Sequence, residues 1–246
     1  MKREYSVAVI IPALNEEDAI VEVLGHLPLP MECVTVADNG STDRTAERAR
    51  AAGARVVHEP KGGYGRACLA GIRENRKADV VVFLDGDFSD DPKEITQLID
   101  PIECDQADFV LGARFGPGRP WHARFGTRIY VAVINFIWGA SYRDLGPFRA
   151  IRRSSLELLG MSDLTWGWTI EMQVKAIEAG LRIHEIPVSY RVRIGESKIS
   201  GSVIGSIRAA TRMFIMIIKL WGTRRRRMRE CGWPLHQNSV AAVIIE

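Results

Sequence analysis

Apolar residues fall along the first half of the chain in short unbroken runs, each followed by a stretch of helical spacing. The runs are SVAVII (6–11), CVTVAD (33–38), ARVVHE (54–59) and DVVVFLD (79–85). The intervening spacing predicts helices near 16–26, 43–52, 64–75 and 92–100. Strands buried on both faces read as continuous apolar runs, and strands alternating with helices build a parallel sheet covered on both sides. A fifth strand, DFVLGA (108–113), ends this regular part. In such sheets ligands bind beyond the carboxyl ends of the strands. The polar segments fall there: PALNEE after the first run, DNGSTD after the second, EPKGGYG after the third and DGDFSDD after the fourth. Polar loops gathered on one edge point to a ligand of nucleotide size.

After the fifth strand the texture changes. Residues 112–128, GARFGPGRPWHARFGTR, hold four arginines, four glycines, two prolines and no acid. They predict a long mobile loop leading into a helix near 124–138. DLGPFRAI (144–151) follows, then a helix over 168–180, a strand pair near 182–192 and the segment RVRIGESKISG (191–201). No internal repeat or low-complexity linker interrupts the chain, which reads as a catalytic domain, 1–202, with a C-terminal tail, 203–246.

Composition adds little to this picture, but charge distribution does. At 246 residues, 46% hydrophobic and 26% charged, the chain is an ordinary globular protein of one large domain. The net charge of +3 hides an asymmetry, because Gly201–Arg229 carry eight Lys/Arg and no acid. A basic segment on a near-neutral body suits a phosphate-rich partner: anionic lipid, nucleic acid or another acidic surface. The scattered Cys33, Cys68, Cys104 and Cys231 form no disulfide or zinc framework and predict reduced, mostly buried thiols in a cytosolic compartment. The amino-terminal apolar run is too short for a signal peptide. VIGSIRAATRMFIMIIKLW (203–221) includes Arg208, Arg212 and Lys219, too costly for a lone spanning helix. Lying in a lipid interface, it would bury Phe214, Ile215, Ile218 and Trp221 while Arg224–Arg227 meet anionic head groups. A helix docked on the catalytic domain, or the interface of a homo-oligomer, would carry the same pattern. The expectation is a cytoplasmic protein, peripheral at the inner face of the membrane.

Asp85 and Asp87 flank Gly86 where the fourth strand ends. Carboxylates at that spacing suit a hard divalent cation bridging a diphosphate, since Mg2+ takes one or two of them plus substrate phosphates. Asp90 and Asp91 stand before Pro92, where a helix cap is the simpler reading. Asp38, the first polar residue beyond the second strand, would hydrogen-bond a base or ribose, or close an ordinary turn. Pro12 and Asn15 shape the exit from the first strand. Glu16 either complements a helix dipole or reaches a ribose hydroxyl. Gly63 in KGGYG lets backbone approach a ligand, or simply lets a turn close. The Lys-Ser/Thr ending of a phosphate-binding P-loop is missing. No GxGxxG follows the first strand, which argues against a dehydrogenase.

In order, PALNEE, DNGSTD, KGGYGRA, LDGD, LGAR, DLGPFRAI and RIGESKISG resemble glycosyltransferase family 2 over about residues 5–212. The resemblance is nearest to its dolichol-phosphate mannosyltransferase and polyprenyl-phosphate glucosyltransferase branch. It implies a GT-A fold, a Rossmann-like α/β architecture whose mostly parallel sheet is flanked by helices, here with a basic amphipathic C-terminal helix. It also implies Mg2+ or Mn2+, a UDP- or GDP-hexose donor, a polyprenyl-phosphate acceptor and transfer with inversion. Carried over by residue, Asp38 and Glu16 would hold the nucleoside, and Asp85 and Asp87 match the family's DxD element. Ser89 stands where relatives offer glutamine as a further metal ligand. Arg114 matches the arginine of the G-[SA]-R segment, and Arg124 and Thr127 fall in the acceptor loop. Asp144 matches the aspartate before the glycine-phenylalanine turn, and Arg193, Ser197 and Lys198 match a phosphate-binding R-x-x-G-x-S-K segment.

The reaction chemistry bears on the acceptor. Negative charge grows on the leaving diphosphate, where a cation and fixed Arg/Lys groups stabilise it. An alcohol nucleophile needs a general base, for which Asp144 and Glu171 are candidates. A phosphomonoester, with a second pKa of about 6, is largely ionised already. The basic, carboxylate-free stretch Arg114–Arg128 fits the second kind better. The rivals are a family 2 enzyme with a soluble alcohol acceptor, a sugar nucleotidyltransferase, and a nucleic-acid binder resting on the arginine tail. The nucleotidyltransferase would need a Gly/Arg-rich loop where PALNEE stands.

Overall fold

The computed structural model describes residues 5–116, 121–195 and 203–231, with side chains described for 5–116, 124–195 and 210–224. Seven strands form one sheet: β1 (Val7–Ala13), β2 (Val34–Asp38), β3 (Arg55–His58), β4 (Val80–Phe83), β5 (Phe109–Phe115), β6 (Arg149–Arg152) and β7 (Ile183–Ser189). Their order is β3-β2-β1-β4-β6-β5-β7. Every pairing is parallel except those of β6, which runs antiparallel to both β4 and β5. The expected mixed α/β architecture with a mostly parallel sheet is therefore present.

Among the described residues eight helices accompany the sheet: α1 (Ile20–Gly25), α2 (Thr45–Ala51), α3 (Tyr64–Glu74), α4 (Ile95–Glu103), α5 (Trp121–Trp138), α6 (Arg153–Leu159), α7 (Trp168–Glu178) and α8 (Val203–Cys231). The continuous apolar runs follow from this double cover. Strand side chains alternate between faces, so Val9 and Ile11 of β1 and Val80 and Val82 of β4 pack under α1 and α4. Ile10, Val81 and Phe83 point the other way, into a core shared with α3, α5 and α7. All are fully buried, each contributing roughly 1.5–3 kcal/mol. Met216, Ile217 and Leu220 of α8 join that second core, and α8 packs on α5 and α7.

Several expectations are revised. Arg149–Arg152, at the end of the DLGPFRAI segment to which the sequence pattern assigns no element, form the inserted strand β6. The strand pair near 182–192 is the single strand β7, followed by an isolated bridge from Tyr190 to Asp90. β5 runs past the expected DFVLGA through Arg114 and Phe115, into the stretch expected to be a loop. α5 starts at Trp121, and α4 starts at Ile95 after a 3-10 turn over Pro92–Glu94. Of the three cysteines described only Cys68 is buried; Cys104 is exposed.

Candidate functional site

Strand direction decides what meets at the polar edge. β5 and β7 run in the sense of β1–β4, so the carboxyl ends of all six lie together, delivering Asp38, Asp85, Arg114 and the 190–195 segment to one edge. β6 runs the other way and starts at that edge, so Asp144 just before it arrives there too.

The loops after β1 and β2 are sewn together. Asn15 adopts the left-handed conformation (φ 51°), which asparagine tolerates well. From there its N–H donates to Ser41 Oγ (2.9 Å) and its Oδ1 accepts from the Thr42 N–H (2.8 Å). The Glu16 N–H donates to Thr45 Oγ1 (2.8 Å) and the Glu17 N–H to Asp43 Oδ2 (3.1 Å). Pro12 lies just past the last β1 residue paired with β4, so its missing N–H breaks no ladder bond on that side. Asp38 is buried, accepts from the Ser41 N–H (3.1 Å) and sits 2.8 Å from His58 Nδ1.

Asp85 and Asp87 leave β4 side by side. Burial, then the facing Asp87 carboxylate, push Asp85 up to about 7, against the pull of Tyr64, Arg114 and Arg193. Tyr64 donates its hydroxyl to Asp85 Oδ1 (3.0 Å). Asp87 Oδ1 accepts from the Ser89 N–H (2.9 Å). Arg193 spans the edge, with one nitrogen 3.1 Å from Asp87 Oδ2 and another donating to Glu16 Oε1 (2.9 Å). Two mutually opposed carboxylates, all oxygen donors, fit a hard divalent cation. Among the described residues no third His, Cys, Asp or Glu joins them in a metal-holding group. Ser197 and Lys198 lie outside the described residues.

Arg114 and Asp144 form a buried bidentate pair, Nε to Oδ2 at 2.6 Å and Nη2 to Oδ1 at 3.1 Å. Asp144 is itself fixed from behind: its N–H donates to Glu185 and its carbonyl accepts from Gln173 Nε2. Arg114 also lies over the Tyr190 ring, 5.5 Å from its centroid. Beside it sits Asp90, which the sequence reading took for a cap. It is 1% exposed, both its carboxylate oxygens lack a hydrogen-bond partner among the described residues, and burial drives its pKa well up in spite of Arg114. Asp91 alone is the cap, accepting from the Lys93 N–H (3.2 Å).

Glu171 lies on α7, 1% exposed. It accepts from the Ser162 N–H and hydroxyl (2.6 Å), from the Asp163 N–H (2.7 Å) and from Lys175 (2.8 Å). Burial would raise its pKa, but Lys175 and Ser162 hold it below the usual carboxylate value. Gly63 and Gly65 abut the same loop. A Cβ at Gly63 would come 2.2 Å from Leu164 O, and one at Gly65 2.1 Å from Asp163 O. The first turn of α3 donates to this loop as well, Gly65 to Thr165 and Arg66 to Leu164. The close approach that glycine permits here is thus to the chain's own backbone.

Arg124 is exposed and Thr127 half-buried, one turn apart on α5. The same helix exposes Phe125, Ile129 and Phe136, the last 91% uncovered. Phe214, Ile215, Ile218 and Trp221 of α8 are exposed too. The two helices are tied by Tyr130, donating to the Ala210 carbonyl, and by Arg224, donating to the Ile137 carbonyl. No described helix is long and apolar enough to cross a membrane.

Residues 8–160 match the description Glycosyl transferase family 2. A glycosyltransferase of Mycobacterium tuberculosis is 38% identical over 221 residues, 88% of this chain and 96% of its own. The polyprenol monophosphomannose synthase of Mycolicibacterium smegmatis is 31% identical over 245 residues, 91% of this chain and 89% of its own. Among solved structures, the M. tuberculosis glucosyl-3-phosphoglycerate synthase bound to Mn2+, UDP and glucosyl-3-phosphoglycerate superposes with a TM-score of 0.73 at 23% identity. That match covers 89% of this chain and 80% of that one.

Proposed function

The chain belongs to glycosyl transferase family 2, and on that premise we propose that it moves a hexose, with inversion, from a UDP- or GDP-sugar to a polyprenyl phosphate at a membrane surface. The observation that carries the acceptor is the state of the two candidate bases. Asp144 is committed to Arg114, and Glu171 to the 162–163 backbone and Lys175. An acceptor that brings its own negative charge needs neither. The exposed Arg124 and Arg128 and the neighbouring apolar surface of α5 and α8 suit a phosphate on a lipid chain. The mannose synthase relative is named for such a polyprenol product.

In this reading Asp38 and Glu16 hold the nucleoside, within loops shaped by Pro12 and Asn15. Asp85 and Asp87 hold Mg2+ or Mn2+, which when bound neutralises charge growing on the leaving diphosphate. Arg193, with Ser197 and Lys198, binds the phosphates. Arg114, oriented by Asp144, fixes a positive charge beside Asp85. Arg124 and Thr127 meet the acceptor phosphate. Gly63 and Glu171 build the loop that walls the site. Residues 1–202 carry the chemistry, and 203–246 supply membrane contact through their excess of basic residues.

The test is transfer itself: labelled UDP- and GDP-hexoses, Mn2+, and polyprenyl phosphate in anionic vesicles, with 3-phosphoglycerate as a competing soluble acceptor. Label moving into the lipid phase from one donor is the expected result. Label appearing only on the soluble acceptor would replace this reading with the soluble-acceptor one.

A further inference from the structure

The loop MSDLTWGW (161–168) carries two tryptophans with different fates. Trp168 is 1% exposed and belongs to the core, edge-on to Phe83. Trp166 is only half-buried and stacks on Tyr64, with ring centroids 6.4 Å apart and planes inclined 28°. Tyr64 in turn donates its hydroxyl to Asp85. An aromatic step therefore starts at the candidate cation site and runs outward to the surface.

The step is held rigidly. Glu171 takes the loop's amides at Ser162 and Asp163, and Asp163 accepts from the Thr165 N–H (2.8 Å). Gly63 and Gly65 let α3 close directly on the 163–165 backbone. That is much polar clamping for a surface loop, and it fixes one half-exposed indole against the ring whose hydroxyl reaches Asp85.

We propose that Trp166, backed by Tyr64, is the platform on which the transferred hexose lies, and so a positioning residue for the donor. This rests on the proposed glycosyl transfer. A sugar attached to a diphosphate anchored at Asp85 and Asp87 starts next to Tyr64. One face of a pyranose is lined by C–H bonds, which suit the electron-rich face of an indole. The same face attracts positive charge developing at the anomeric carbon as the diphosphate leaves.

The experiment compares Trp166→Ala and Trp166→Phe with wild type by calorimetry in Mn2+, using UDP, GDP, UDP-glucose and GDP-mannose. The expected result for Trp166→Ala is nucleotide affinity within about 2-fold of wild type, and sugar-nucleotide affinity weaker by about 5–10-fold. Trp166→Phe, which keeps a ring and the packing on Tyr64, restores most of the loss. Equal weakening of nucleotide and sugar nucleotide, with a lowered melting temperature, would assign Trp166 to loop packing and overturn the platform. No change in either would overturn it as well. Wild-type protein that binds no nucleotide at all would remove the proposed function, and the platform with it.

Discussion

The polar edge of the sheet and the outer face of α5 and α8 treat their surfaces in opposite ways. At the edge, charged side chains pair across long stretches of sequence: Arg193 with Glu16 and Asp87, Arg114 with Asp144. Charge-assisted bonds of this kind fix side chains in place, as phosphate and sugar chemistry require. On the helix face, large apolar side chains are simply left uncovered, Phe136 and Ile218 among them. A docking surface for lipid needs area and nearby positive charge, not a fixed geometry. On the proposed function, the edge is where the reaction is steered and the helix face is where the protein is held.

Breaking one region should leave the other intact. The largest effect is expected from Asp87→Asn, which removes one of the two carboxylates offered to the cation. Transfer should fall by at least about 100-fold, while vesicle binding and melting temperature stay close to wild type. Retained transfer would show that the edge is not the metal site. The converse variant, Phe136→Ser with Ile218→Ser, should weaken co-sedimentation with anionic vesicles by about 10-fold and leave nucleotide binding unchanged. If these exposed positions are instead covered by a second copy of the chain, the variant would change oligomeric state in gel filtration and not vesicle affinity.

Glu171→Gln sharpens the comparison with the smallest effect on transfer, because it acts only through the loop it holds. Losing a charged acceptor for two amides and Lys175 should cost about 1–3 kcal/mol of stability at neutral pH. Its lowered pKa means the wild-type carboxylate stabilises the fold above the ordinary carboxylate range of about 4. That contribution is lost as pH falls through the folded-state value. The gap between wild type and variant should therefore close in acid; a gap independent of pH would point to packing rather than charge.

How much of this was legible in the sequence follows from the range of the interactions. β1, β2 and β4 announce themselves because strands buried on both faces need nothing but apolar residues. β6 does not, since four residues following a turn carry no period of their own, and only its two neighbours make it a strand. At the edge, Asp38, Asp85 and Asp87 could be found by position at strand ends. Asp90 could not, because DDP reads as a helix cap and its burial depends on Tyr190, a hundred residues away in sequence. Trp166 was equally hidden. The one signal for it was the pair Gly63 and Gly65, read as ligand approach, whose close contact is with the loop that carries it.

The separation of edge and face is tested most directly by one ratio of rates. Transfer from the preferred sugar nucleotide would be measured to a long polyprenyl phosphate embedded in anionic vesicles and to a short, water-soluble prenyl phosphate. Wild type and the Phe136→Ser/Ile218→Ser variant would be compared side by side. The account predicts that the variant loses rate on the embedded acceptor, by about 10-fold, and keeps its rate on the soluble one. Equal losses on both acceptors would contradict it, showing that α5 and α8 serve the chemistry rather than the membrane.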